Sequence, residues 1–308
     1  MMLRSAPADR TPAELLAFGV VNLDKPPGPS AHQVAAWVRD AASDALADAQ
    51  AAGRAREDLS VDGAAHAGTL DPKVTGCLPI LTGDATRVAQ AFGEGEKEYV
   101  SVLELHADAP SDLEAVVAEF EGDIYQKPPR KSAVSRRLRT REIFDLDVLE
   151  VEQRRALLRI RCEPGTYIRK LCHDIGLAAG TGAHMGHLRR TATTPFDDTT
   201  LVTLHDLVDA IHDWLDHDDP EALRDVLQPA ERALSHLPKV TIAPSAAESV
   251  ADGAPIYAPG VIDAPDPETV DGIVAAYTPN DAVVALGRLT GDPGAESGEV
   301  VTLERVLV

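Results

Sequence analysis

Cysteine is scarce: Cys77, Cys162 and Cys172 are the only three in 308 residues, and no two stand in a CxxC spacing. An odd number without close pairs excludes a disulfide framework and a zinc knuckle, so reduced, mostly buried thiols are expected. Long apolar runs are missing too. No stretch reaches the roughly 18 consecutive apolar residues of a membrane span, and residues 1–20 lack the basic-then-apolar order of a secretory signal, so a cytoplasmic protein is expected. Gly-rich phosphate loops of Walker or dinucleotide type are absent, as are HExxH and GxSxG. Nucleotide cofactors and a zinc-protease or serine-hydrolase site are therefore not indicated. The composition, 44% hydrophobic with 4% aromatic residues, describes a globular chain with room for one large domain and a small one.

Positive charge is in short supply, 29 Lys+Arg against 50 Asp+Glu for a net charge of -21. A surface this acidic repels polyanions at long range. The distribution argues otherwise, because residues 127–190 hold 15 basic and 7 acidic side chains. Within them, "QKPPRKSAVSRRLRTR" (126–141) carries Lys127, Arg130, Lys131, Arg136, Arg137, Arg139 and Arg141 with no carboxylate between them. That density suits phosphate contacts. A solvated run paired with the acidic remainder is the plainer alternative. Arg outnumbers Lys 22 to 7 in an acid-rich chain, a pattern that resembles proteins of salt-loving organisms and lets the acidity report the solvent.

Periodicity gives an α+β chain. Residues 1–17 are polar with Pro7 and Pro12 and read as a weakly ordered tail. "GVVNLDKPPGPS" is a strand that breaks at Lys25-Pro26-Pro27-Gly28, after which Ser30 caps a helix through Val34, Trp37 and Val38. Residues 41–58 are Ala-rich without a wide apolar face and read as a surface helix extension or a loop insertion. "YVSVLELH" alternates as a strand, and "SDLEAVVAEFEG" reads as a helix with a Ser111/Glu114 capping box and Gly122 as its stop. Two alternating runs flanking Gln153–Arg155 make a hairpin that leads into a helix from about Ile168 to Ala179. Helices start near Thr203 and Pro220. After a break at 235–238, strands around a helix capped by Ser245 form a small, mostly β unit that suits a barrel. With no strand–helix unit repeating at regular spacing, the pattern speaks against a doubly wound parallel sheet, and a mixed, largely antiparallel sheet with flanking helices is expected.

Two elements can carry chemistry. In "HAGTLDPKVTGCLP" (66–79), Asp71 is a carboxylate on a loop constrained by Pro72, Gly76 and Pro79, which serves a nucleophile or base as well as it serves a turn. In "CEPGTYIRKLCHDIG" (162–176), Tyr167, Arg169 and Lys170 crowd one helix end. A carboxylate that must stay ionised in a dry pocket needs a fixed cation, and Arg169 beside Asp71 would supply it. Taken alone, each of these residues has a plainer reading as turn or surface charge.

These segments, with "GEKEYV", "KPPRKSAVSRRLRTR" and "GAHMGHLRRT" in the same order, resemble the TruB-type pseudouridine synthases, nearest the archaeal dyskerin-like branch that serves as catalytic subunit of H/ACA guide-RNA particles. The similarity is strong over residues 18–200, and residues 237–308 look like the PUA RNA-binding domain that follows a catalytic domain, here 18–236, in that family. The resemblance implies that Asp71 is the catalytic aspartate, Arg169 its pairing arginine, and Tyr99 the tyrosine that stacks on the target uracil and helps remove the C5 proton. It implies that Tyr167 and Leu188 line the pocket, that His66 lies close to the flipped nucleotide, and that Lys25, in the N-terminal motif and counted with the substrate-binding residues, has a structural or positioning role more than one in chemistry.

The reaction so implied breaks the N1–C1' bond of uridine, turns the base and rejoins it through C5, with no redox change and no cofactor or metal. Asp71 suits attack at C6, attack at C1' or deprotonation at C2' alike. Gripping the flanking backbone falls to Lys127, Arg130, Lys131, Arg136, Arg137, Arg139, Arg189 and Arg190. Guide RNA, rRNA or tRNA substrate and small archaeal H/ACA proteins are the implied partners. The alternatives are a stand-alone synthase acting on the tRNA T-loop and a non-catalytic RNA-binding scaffold.

Overall fold

Eight antiparallel ladders and one parallel one build the larger of two sheets in this computed structural model, which describes residues 3–66, 68–93, 95–128 and 137–308. Its strands are β1 (Gly19–Lys25), β2 (Ala64–His66), β3 (Thr75–Thr82), β4 (Lys97–Leu105), β5 (Gly122–Gln126), β6 (Arg139–Glu152), β7 (Arg155–Cys162), β8 (Ala183–Thr193), β9 (Phe196–Asp197) and β10 (Gln228–Pro229). The order is β10-β1-β3-β8-β4-β7-β6-β5, with β2 beside β3 and β9 beside β8. Among these pairs only β3 and β8 run parallel. The second sheet, β12-β16-β15-β14-β11-β13, is built from β11 (Lys239–Ile242), β12 (Ile256–Tyr257), β13 (Val261–Asp263), β14 (Ile273–Tyr277), β15 (Val283–Leu289) and β16 (Glu299–Val306). The expected α+β class with a small C-terminal β unit is what forms.

The helices are α1 (Pro12–Ala17), α2 (Ala31–Ala51), α3 (Ala89–Phe92), α4 (Leu113–Ala118), α5 (Ile168–Ala178), α6 (Leu204–His217), α7 (Pro220–Val226) and α8 (Pro244–Ala251). Ser30 caps α2 in a capping box with Gln33, which satisfies two amides that the first turn leaves open. The Ala-rich 41–58 stretch continues this helix to Ala51. Its small Ala42, Ala45 and Ala49 are buried with Leu46, and α2 packs closely against α6. Two expected caps do not form: α4 begins after Asp112 and α8 at Pro244, each without a side-chain cap, so neither Ser111 nor Ser245 closes a box. Strand β5 was not legible, because its partner is the basic run itself, folded back from Arg139 as β6.

The expectation of a weak tail over residues 1–17 fails for residues 3–17. Helix α1 buries Ala13, Leu15 and Leu16, and the segment before it is fastened by charge. Arg10, 1% exposed, forks onto Glu231 with contacts of 2.7 and 2.5 Å, and Glu231 also accepts from the Val283 amide. Arg4 donates to Leu307 O and to Asp84 and lies over the Phe18 ring. Beneath this strap one apolar cluster is shared by both sheets: Phe18, Val20, Leu81 and Phe196 from the first pack with Ala275, Tyr277, Val283 and Leu307 of the second.

Candidate active site

The loop between β2 and β3 carries Asp71, and two buried cations fasten it. Lys25, at the end of β1, is fully buried. Its ammonium donates to Pro26 O at 2.9 Å, Pro72 O at 3.0 Å and Val74 O at 2.9 Å. Burial pushes this lysine below its usual range, and three carbonyl dipoles stand where a carboxylate partner would be. Arg190, on β8 and 1% exposed, donates from Nε to Cys77 O at 2.7 Å and from Nη1 to Gly68 O at 3.2 Å. Close approach of β8 also requires glycine at position 76: φ is +96°, and a Cβ there would sit 2.2 Å from Arg190 O. Leu70 and Val74 plug into the core on either side of Asp71.

These contacts correct two expectations. Arg190 does not face RNA, because its guanidinium is spent on main-chain carbonyls inside the protein. Lys25 does not reach a substrate; it holds the loop that presents Asp71.

The carboxylate of Asp71 is ion-paired with Arg169 in the first turn of α5, as the sequence implies. The start of that helix is positioned by Gln126, a buried side chain that donates to Tyr167 O and accepts from the Tyr167 amide. The dry chamber is not there, however: the two side chains are 54% and 53% exposed.

Tyr99 stands on β4 directly across from Arg190 on β8, and Leu188 faces Ser101, two residues further along β4. Tyr99 and Leu188 pack against both the core beneath α2 and the core beneath α5, so ring and aliphatic wall join the two halves of the sheet. Burial raises the phenol of Tyr99, with a hydrogen bond to Arg190 acting the other way. The hydroxyl therefore keeps its proton at neutral pH, and the ring and its O–H, in place of a phenolate, are what it offers. His66 ends β2. Burial lowers its imidazole first, and the nearby charges of His32 and Arg190 add to that, so it is neutral at pH 7. Tyr167 has the Arg139 guanidinium 5.2 Å over its ring.

The basic segment is divided. Lys127 and Arg137 are exposed. Arg139 donates to Gly165 O at 2.6 Å, and Arg189 forks onto Asp24 at 2.9 and 3.0 Å. Arg130, Lys131 and Arg136 lie outside the described residues. Sequence reasoning passed over Lys97, although "GEKEYV" contains it. Its buried ammonium donates to Gly95 O at 2.7 Å, and burial, with Arg190 nearby, pushes it down to about 8.

That shift has a sign that can be measured. Between pH 8 and 10.5 the unfolded chain holds a proton on Lys97 that the folded chain has lost, so this residue makes stability rise with pH. The thiols act oppositely above pH 9, since burial raises Cys77 and Cys162 to about 12 and Cys172 to about 11. Urea unfolding of wild type and Lys97→Met isolates the lysine. The wild type is expected to gain on the variant by roughly 1.4 kcal/mol per pH unit across that window. Parallel pH profiles would refute it.

Comparison with known proteins gives the same layout. The model described as "TruB family pseudouridylate synthase (N terminal domain)" matches residues 56–168, and "tRNA pseudouridylate synthase B C-terminal domain" matches 169–235. A DKCLD domain model matches residues 4–35, and a PUA domain model matches 238–293. A protein of Halobacterium salinarum named "Probable tRNA pseudouridine synthase B" is 63% identical over the whole of both chains. One of the same name from Pyrococcus furiosus is 46% identical over 92% of this chain and 79% of its own. Among solved structures, a Cbf5-Nop10-Gar1 complex matches with TM-score 0.88 and 43% identity, covering 99% of this chain and 90% of that one. An H/ACA RNP bound to a substrate RNA containing 2'-deoxyuridine matches with TM-score 0.86 and 41% identity, over 99% and 90%.

Proposed function

The chain belongs to the TruB family of pseudouridine synthases, and from that premise we propose that Asp71 drives isomerisation of an everted uridine in RNA whose position is chosen by an H/ACA guide. The observation that carries the catalytic assignment is the Asp71–Arg169 ion pair on a loop bolted by Lys25 and Arg190.

Each group has work that suits it. The guanidinium keeps Asp71 ionised and aimed. Asp71 supplies the nucleophile or base that lets the N1–C1' bond break. The freed uracil must then turn without leaving, and Tyr99 and Leu188 offer a ring and a wall to hold it. Stacking a base on an aromatic side chain contributes about 1 to 3 kcal/mol, which helps offset the cost of unstacking. When C5 joins C1', its proton leaves and N1 gains one, so atoms balance without cofactor or redox partner. Since the ion pair is half-exposed in the free protein, the RNA itself is the lid: seating the nucleotide removes water and strengthens the Arg169 charge felt by Asp71. Lys127 and Arg137, with the basic residues around them, grip flanking phosphates.

Two kinds of relative bear on guidance: curated proteins named for tRNA and solved structures from H/ACA assemblies. Both kinds match nearly the whole chain, so coverage does not choose between them; the nearness of the "KPPRKSAVSRRLRTR" and "YIRKLCHDIG" segments to the dyskerin-like branch, with the solved assemblies, supports guide-dependent action in company with small proteins of the Nop10 and Gar1 kind. The test is tritium release from 5-tritiated uridine RNA. The chain alone on tRNA is expected to turn over poorly, and addition of guide RNA with its protein partners is expected to raise the rate at least tenfold. Full tRNA turnover by the chain alone would establish the stand-alone alternative, and no release under either condition would favour a scaffold.

A further inference from the structure

The basic segment begins after Gln126 and returns at Arg139, and these two residues face each other across the β5–β6 ladder. Both reach the entry of α5. Gln126 is fully buried, and its amide lies against the Tyr167 backbone, Oε1 accepting from the Tyr167 amide at 2.9 Å and Nε2 donating to Tyr167 O at 3.1 Å. A neighbouring strand would pair in the same way, since a side-chain amide carries donor and acceptor side by side as a peptide does. Arg139 holds the turn just before: Nη2 donates to Gly165 O at 2.6 Å, and the guanidinium lies 5.2 Å over the Tyr167 ring. Close by, Arg141 pairs with Glu163 at 3.3 Å. Residues 163, 165 and 167, the approach to the helix, are thus each fastened to the strands that root the basic segment. Tyr167 occupies the cap position of α5 without a capping hydrogen bond from its own side chain. Its carbonyl also accepts from the Lys170 and Leu171 amides, so the first turn survives replacement of Gln126, and what is lost is the angle at which the helix leaves the sheet.

Arg169 stands two residues beyond Tyr167. Its side chain is 53% exposed, so packing does little to aim it and the backbone beneath does most. We propose that Gln126 and Arg139 are positioning residues of the reaction, which fix the entry of α5 and so aim Arg169 at Asp71. Arg139 then serves the catalytic pair and not an RNA phosphate. The inference rests on the synthase reading above and deepens it. A planar guanidinium engages a carboxylate within a narrow range of orientations, and a displacement of about 1 Å at a reacting group costs on the order of 10²-fold in rate.

The experiment uses the assembled guide particle under single-turnover conditions, reading tritium release from 5-tritiated uridine RNA and, by filter binding, RNA affinity as a function of salt. Gln126→Met fills the same space without donor or acceptor, and Arg139→Met removes the guanidinium. The first is expected to slow the reaction roughly 10²-fold and the second roughly tenfold. Both are expected to leave RNA affinity and its salt slope as in wild type. A phosphate contact would behave in the opposite way, losing affinity and flattening the salt dependence. Combined with Arg169→Lys, neither variant should slow the reaction beyond Arg169→Lys alone, because the fork they aim is already gone. Thermal unfolding reports whether the variants fold, and should Gln126→Met fail to, Arg139→Met at its partly exposed site carries the same test. Rates like wild type, losses that multiply with that of Arg169→Lys, or a flatter salt dependence in Arg139→Met would overturn the assignment. Failure of the synthase reading would look different, since wild type would then release no tritium from any RNA.

Discussion

Asp71→Asn is expected to bring pseudouridine formation to background, a fall of roughly 10⁴-fold or more, while leaving fold and RNA binding in place. Removing the reacting group of an enzyme typically costs that much. Asparagine has the same shape, so the loop keeps its anchors, and a half-exposed ion pair contributes little to stability. Affinity for RNA should hold or improve, because a negative charge near phosphates is gone. Tritium release, filter binding and thermal unfolding separate the three quantities. Turnover like wild type would remove Asp71 from the mechanism. Arg169→Lys probes the partner: charge survives, the planar fork does not, and a loss of roughly 10² to 10³ is expected.

Lys25→Met should damage both stability and rate. Its ammonium satisfies Pro26 O, Pro72 O and Val74 O, and of these Pro72 O keeps a second donor, the Gly28 amide. Methionine fills the space and donates nothing. Each buried acceptor left unsatisfied costs about 1 to 3 kcal/mol, so a loss of roughly 2 to 5 kcal/mol is expected by urea unfolding. Because the Pro72 and Val74 carbonyls follow Asp71 on its loop, the loop should also drift, and misplacing a reacting group by about 1 Å costs on the order of 10²-fold. The fall should appear in the single-turnover rate more than in RNA affinity, since the side chain is sealed from solvent. A variant that unfolds like wild type, or that weakens binding but keeps the rate, would show that Lys25 meets substrate after all.

The contrast between Arg189 and Arg190 explains what sequence reading could reach. Side chains alternate across a strand, so one of two adjacent arginines on β8 points inward and the other outward. Nothing in "HLRRT" says which, and both were expected on RNA. For Lys25 the structural role was legible and the lack of a substrate contact was not: a lysine among prolines and a glycine looks solvated until the loop it grips is folded over it. On residues alone Asp71 stayed open between nucleophile and turn, since Asp-Pro is an ordinary turn, and the resemblance tipped the reading; its pairing with Arg169 joins positions 98 residues apart. Antiparallel pairing was legible from alternation in 99–106 and 143–163. The N-terminal strap was not, because Arg4 and Arg10 find partners 303 and 221 residues further along the chain.

That strap and the apolar cluster shared by Phe18, Val20, Tyr277 and Leu307 give the molecule no seam. Cutting it after residue 237 would bare a greasy wound on both pieces. Heating should therefore produce one melting transition, and an excised C-terminal fragment should clump where a free-standing module would stay dissolved. Because that shared cluster joins two sheets that each have a core of their own, a destabilising change in either is expected to lower the melting temperature of both.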